Sequence, residues 1–133
     1  MKTTAIIERG TDGTYSVYIR DPHYPYGIIG TGASVKEARE DFMVGYEEMK
    51  AYVTETEGAF KEADFAFKYD IPSFLQEFAF AFSLAGLERI TGVNQKQLGH
   101  YISGYRKPSD KTVRKIEAGI HSFSQLLGSV HFL

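Results

Sequence analysis

The sequence predicts an α+β protein, with a βββαβ unit over residues 1–71 and an all-helical unit over residues 72–133. Three observations carry this. Apolar/polar alternation flanks an Asp-Gly turn near the N-terminus. A long helical stripe opens at a Ser-x-x-Glu pattern beginning with Ser34. Beyond Pro72 the apolar spacings read as helical, punctuated by Gly92, Gly104 and Pro108.

Thr3 to Glu8 alternates weakly and predicts a first strand, and Thr11-Asp12-Gly13-Thr14 predicts a hairpin turn. Tyr15, Val17 and Ile19 alternate with Ser16, Tyr18 and Arg20 as a second, half-buried strand. Two prolines make Asp21–Tyr26 a loop, and the glycine-bounded stretch Gly27–Gly32 predicts a third strand. Ser34 and Glu37 then form a capping box that opens a helix running to about Thr54. Ala38, Phe42, Tyr46 (or Gly45), Met49 and Val53 are its apolar stripe, and Glu37, Glu40, Asp41, Glu47 and Glu48 its acidic outer face. Ala63, Phe65, Phe67, Tyr69 and Ile71 alternate as a fourth strand.

Asp70-Ile71-Pro72-Ser73 marks the boundary, with Ser73 and Gln76 offering a second capping pattern. Phe74, Phe78 and Phe82 recur every four residues on the helix expected next, as a core or dimer stripe. Further helices are expected at about Leu84–Ile90 and Asn94–Ser103. Ser109 should cap another, with Val113, Ile116 and Ile120 inward, and a last helix should carry Phe123, Leu126, Leu127 and Val130.

With 43% hydrophobic and 14% aromatic residues the chain is not generally disordered. It has no run of apolar residues long enough to span a bilayer and no signal-peptide pattern at its start. The absence of cysteine rules out disulfides and thiolate metal sites, and fits a reducing cytoplasm, the expected location. Net charge is −2, but the charge is segregated. Residues 1–71 hold eight Lys/Arg and thirteen Asp/Glu, whereas residues 72–133 hold seven and four. From Arg89 to Lys115 all seven of the latter cations meet one acid, Asp110. A basic C-terminal segment suits phosphate neutralisation, and an acidic N-terminal one suits a basic protein.

The run Gly92–Ser109, GVNQKQLGHYISGYRKPS, reads as the turn, second helix and exit loop of a helix-turn-helix. Gly92 gives the turn its backbone freedom, Asn94 is a good N-cap, and Val93, Leu98 and Ile102 face inward. Gln95, Lys96, Gln97 and His100 are then expected to meet a DNA groove. An amide side chain can bind an adenine edge, and lysine can reach guanine or phosphate. Gly104 ends the helix, and Arg106, Lys107, Lys111, Arg114 and Lys115 supply charge towards the DNA backbone.

The Asp-Gly-Thr-Tyr hairpin, the glycine-bounded third strand and the Ser-x-x-Glu helix start, followed by this segment, resemble the HicB antitoxin family over nearly the whole chain. The loop Asp21-Pro22-His23-Tyr24-Pro25-Tyr26-Gly27 departs from the Pro-Asp-Leu-Pro-Gly found in many members. The C-terminal half resembles Cro/repressor-like helix-turn-helix domains, though Glu88 stands where those usually hold alanine. The resemblance implies a reduced RNase H-like fold for residues 1–71. It also implies an antitoxin that blocks a small, basic, mRNA-cleaving HicA-type toxin and represses its own operon. The weakly specified toxin-binding candidates are Glu37, Glu40, Asp41, Glu47 and Glu48. A homodimer or higher oligomer would read a two-fold operator.

An RNase H-like relationship raises the question of metal-dependent cleavage, which needs converging carboxylates. Asp12 and Asp21 are better explained as turn formers, and His23, His100, His121 and His131 are scattered. No phosphate-binding or dinucleotide glycine motif occurs, so no enzyme activity, metal or cofactor is expected. The competing expectation is a ligand-sensing repressor, with glycines and aromatics around Tyr15–Gly32 lining a pocket.

Overall fold

Alternation at the N-terminus produces a hairpin in the computed structural model, which describes residues 1–133. Strand β1 (Lys2–Arg9) pairs antiparallel with β2 (Tyr15–Ile19), placing Ala5 opposite Ile19 and Ile7 opposite Val17. In the turn, Asp12 Oδ1 accepts from the Thr14 hydroxyl at 2.6 Å and the Thr14 amide at 3.0 Å. Those bonds, the hydroxyl first, hold the Asp12 carboxyl below its ordinary range.

Strand β3 (Ile29–Gly32) pairs antiparallel with β2. It is shorter than the expected Gly27–Gly32 because β2 offers its last partner at Tyr18, opposite Ile29. Helix α1 (Val35–Glu57) starts at the expected cap, Ser34 Oγ accepting from the Glu37 amide, but Glu37 Oε2 reaches one residue further back than a capping box requires and accepts from the Ala33 amide. It passes Thr54 by three residues and stops at Gly58, whose φ of +82° closes the helix with a bond to the Thr54 carbonyl. Strand β4 (Asp64–Tyr69) returns parallel to β1, giving the order β3-β2-β1-β4. A parallel return requires a crossover, and α1 supplies it.

The core of this unit lies between α1 and one sheet face. Ala5, Ile7, Tyr15 and Val17 meet Ala38, Phe42 and Tyr46, with Phe65 and Phe67 of β4 packed against them. Phe42 stands edge-on to Phe65 and Phe67, at 4.8 and 5.8 Å between centroids. The loop after β2 is tied to this core. Asp21 Oδ2 accepts from the Thr3 hydroxyl at 2.5 Å, Oδ1 accepts from the His23 amide at 2.9 Å, and the Tyr24 hydroxyl donates to the Lys61 carbonyl.

The chain divides into two compact units, Met1–Ser73 and Phe74–Leu133, and the division falls inside helix α2 (Ile71–Glu77). That helix corrects two expectations. It begins before Pro72, with Asp70 Oδ1 accepting from the Ser73 amide, so Asp70 rather than Ser73 caps it. Proline is at home in a first turn, where its missing N–H has no helical partner to lose. The helix also ends at Glu77, so Phe78 lies in the turn that follows and Phe82 beyond it, rather than both on one helical stripe.

The second unit is helical. Helix α3 (Leu84–Thr91), helix α4 (Gln95–Ser103) and helix α5 (Asp110–Gly128) bury Leu87, Thr91, Val93, Leu98, Tyr101 and Ile116. The expected separate last helix is instead the second half of α5, because nothing between Ile120 and Phe123 breaks the backbone. Gly119 lies where a Cβ would come within 2.6 Å of the Ile90 carbonyl oxygen, so its lack of a side chain permits the close crossing of α3 and α5. In all, the protein is a mixed α+β chain with one four-stranded sheet and five helices. No helix is long and apolar enough to cross a membrane.

Candidate nucleic-acid interface and acidic helix face

The α3–α4 turn is built by local polar bonds. Ser83 Oγ caps α3 by accepting from the Gly86 amide. At its end Gly92 adopts φ +73° and donates to the Glu88 carbonyl at 2.7 Å. The Thr91 hydroxyl donates to the Leu87 carbonyl and accepts from the Val93 amide, fixing the residue on each side of the turn. Asn94 Oδ1 accepts from the Lys96 amide at 2.8 Å and caps α4. Glu88 Oε1 accepts from the Gln95 amide at 3.0 Å. The residue that departs from the usual alanine is therefore a carboxylate at the N-terminus of α4, where the helix dipole favours it.

The four expected groove residues do not share one environment. Gln95 and Lys96 are exposed on the first turn of α4, whereas Gln97 and His100 are half-buried. Gln97 Oε1 and His100 Nδ1 are shut away from water without a hydrogen-bond partner. The exit loop accounts for His100: the Tyr105 ring packs edge-on against it at 5.0 Å, and the Arg106 amide donates to its carbonyl. Gln97 and His100, both half-buried, thus each have one polar atom enclosed, unlike the exposed Gln95 and Lys96. Arg106 and Lys107 on the exit loop, and Lys111 and Arg114 on α5, are exposed cations of the same unit. Lys115 has another task, donating from Nζ to the Gly92 carbonyl at 3.1 Å across the turn.

The acidic face of α1 also divides. Glu37 and Asp41 point to the β3 side, where they accept from the backbone amides of Ala33 and Thr31 at 3.0 and 2.8 Å. Glu40, Glu47 and Glu48 border an apolar groove lined by Val35, Met43, Val44 and Phe67. Lys36 lies 4.0 Å from Glu40, and the Arg39 guanidinium sits 4.2 Å from the Phe67 ring centroid. Sequence spacing showed an acidic stripe but could not show this groove, because Phe67 reaches it only through the crossover of β4.

Asp12 is bonded within its own turn, and Asp21 to its own loop and to the Thr3 hydroxyl. The Thr3 hydroxyl, and then the His23 amide, hold the Asp21 carboxyl below its ordinary range. No three His, Asp or Glu side chains converge in a metal-binding geometry. The aromatics of the Tyr15–Gly32 region pack on one another and on the core: Tyr26 stacks on Phe60 at 4.6 Å, and Tyr24 stands edge-on to Tyr26 and Phe65. Burial foremost pushes the Tyr24 phenol up to about 12.

No protein-family model, curated protein or solved structure matches this chain.

Proposed function

We propose that the chain is a HicB-type antitoxin and autorepressor. In this reading the N-terminal unit masks a small basic RNA-cleaving toxin, and the C-terminal unit dimerises and binds operator DNA. The observation that carries it is the α3–Gly92–α4 corner, with Gln95 and Lys96 exposed at the start of α4 and four exposed cations on the exit loop and α5. A helix N-terminus with free amide and ammonium side chains can read base edges, while flanking Lys and Arg fix the register on phosphates. The sheet order β3-β2-β1-β4, with three antiparallel strands and a parallel β4 reached through α1, supports a reduced RNase H-like unit. The turn and loop duties of Asp12 and Asp21 support a unit that acts by binding rather than by catalysis.

Dimerisation has its own support in α5. Leu126 and Leu127 are 61% and 55% exposed on the second half of that helix, and Val130 beyond it is 48% exposed. Phe123 and Leu126 border a groove with Ile90 and Gly119. The same exposed apolar patch, with Leu126 at the groove's border, is a surface that two copies can bring together about a two-fold axis.

The test is co-expression with the small basic reading frame expected beside this gene. Growth arrest by that frame, its rescue by this chain and recovery of a complex are the expected results. Arrest without rescue or complex removes the antitoxin role and leaves a ligand-sensing repressor as the alternative.

A further inference from the structure

We infer that the groove between α1 and the free edge of β4 is a strand-addition site for an extended, cationic segment of a partner protein. The inference deepens the antitoxin reading and takes the partner's identity from it. Three separate features meet at this place. The first is an open edge. β4 ends the order β3-β2-β1-β4 and pairs with β1 alone. The Asp64 and Asp70 amides donate to the Met1 and Ile7 carbonyls. Strand alternation then turns the backbone amides and carbonyls of Phe65 and Phe67 away from β1. Edge strands are usually blunted by proline, a bulge or inward charge. β4 has neither proline nor bulge. Its charged residues, Asp64 and Lys68, alternate with Phe65 and Phe67 and so belong to the opposite face of the strand.

The second feature is the groove beside that edge, where Met43 and Val44 are 37% and 55% exposed and Phe67 forms the β4 side. An added strand sends alternate side chains to one face, so an apolar residue would enter between Val44 and Phe67. The third feature is charge. The groove is lined by three carboxylates, Glu40, Glu47 and Glu48, against two cations, of which Lys36 lies 4.0 Å from Glu40 and Arg39 rests over the Phe67 ring. Glu47 and Glu48 form no salt bridge. A segment alternating apolar and basic residues would satisfy edge, groove and carboxylates together. A second copy of this chain would instead oppose the same acids to one another, a like-charge contact that disfavours self-pairing.

The experiment follows amide hydrogen exchange of the full-length chain with two probes, the co-purified small basic partner and a synthetic peptide of alternating Lys and Val. Either probe is expected to slow exchange at Phe65 and Phe67 by at least about tenfold. The Glu47→Lys/Glu48→Lys variant changes only exposed side chains. It is expected to weaken both interactions by at least about tenfold, and an alternating Glu-Val peptide should leave exchange unchanged. A partner that binds and rescues growth while Phe65 and Phe67 exchange freely overturns the site and leaves the antitoxin reading standing. Peptide protection at Phe65 and Phe67, with a basic frame that neither arrests growth nor binds, supports the site and removes the antitoxin reading. Protection that appears in the chain alone and grows with its concentration overturns the proposal in favour of self-pairing.

Discussion

Gly30 of β3 lies flat against the backbone of Phe42 in α1. A Cβ on Gly30 would fall 2.2 Å from the Phe42 amide nitrogen and 2.5 Å from the Ala38 carbonyl oxygen. The separation of helix and sheet at this end is set by a missing methyl group, and the atoms it would strike are backbone. Gly30→Ala should therefore destabilise the N-terminal unit by ~3 kcal/mol. Gly99 in α4 should respond with the opposite sign, since its nearest neighbour is Leu84 Cδ1 at 3.8 Å, an ordinary contact. Gly99→Ala should stabilise by roughly 0.5–1 kcal/mol through helix propensity. Thermal unfolding of the two variants should move in opposite directions; a shift of both the same way would contradict these contacts.

Ser73 ties the end of β1 to the first turn of α2. Its Oγ accepts from the Arg9 amide at 2.8 Å, and the residue is 2% exposed. Ser73→Ala leaves that amide without this acceptor, which should cost about 1–2 kcal/mol. Urea unfolding should show a lower midpoint with an unchanged slope, because the surface exposed on unfolding stays the same.

The Asp21 carboxylate gives an acid-dependent contribution. Its folded pKa lies below 3.8, chiefly through the Thr3 hydroxyl. At pH above 3.8 the carboxylate is ionised in both states and its favourable bonds are present in full. As pH falls through the lower folded value, the proton taken up removes that stabilisation. Asp21→Asn should thus lower the melting temperature at neutral pH, and the gap to the unsubstituted protein should close below pH 3.8. Melting curves from neutral to strongly acid pH measure this; a gap that widens on acidification would reverse the sign assigned to Asp21.

Local chemistry made much of this fold legible in advance. Ser34, Asn94 and Ser109 cap helices, and Gly92 and Gly104 take φ of +73° and +78° at helix ends. Such signals act within a few residues and survive without tertiary context. Asp70 was hidden because Ser73 and Gln76 offered a competing cap, and Pro72 reads equally as a strand stop or a first-turn residue. The enclosure of His100 was hidden for another reason. Periodicity describes a helix against its core, whereas Tyr105 and Arg106 fold back onto α4 from the exit loop. The groove at Phe67 depends on a crossover, which no spacing along one element encodes.

If α5 forms the two-fold contact, Leu126→Ser/Leu127→Ser should turn a dimer into a monomer without unfolding the chain. Both side chains are more than half exposed, so their loss removes little of the fold's own burial. Sedimentation should show halved mass with unchanged helical circular dichroism. A dimer that persists would place the interface elsewhere.

DNA recognition should then separate into two kinds of interaction. Gln95 is exposed at the first position of α4, and its backbone amide is already fixed by Glu88. Its side chain is therefore presented from a defined position, and Gln95→Ala should relax preference at one base pair, costing ~1–3 kcal/mol on the operator and little on random DNA. Lys107 is exposed on the loop between α4 and α5. A lysine on a phosphate carries no base information, so Lys107→Ala should weaken operator and random DNA alike. It should also flatten the dependence of log affinity on log salt by about 0.9 for each phosphate no longer neutralised. Fluorescence anisotropy across a salt series, on both DNAs, measures the two effects together. Equal losses for Gln95→Ala on operator and random DNA would remove it as a base reader, and an unchanged salt slope for Lys107→Ala would remove the phosphate interaction.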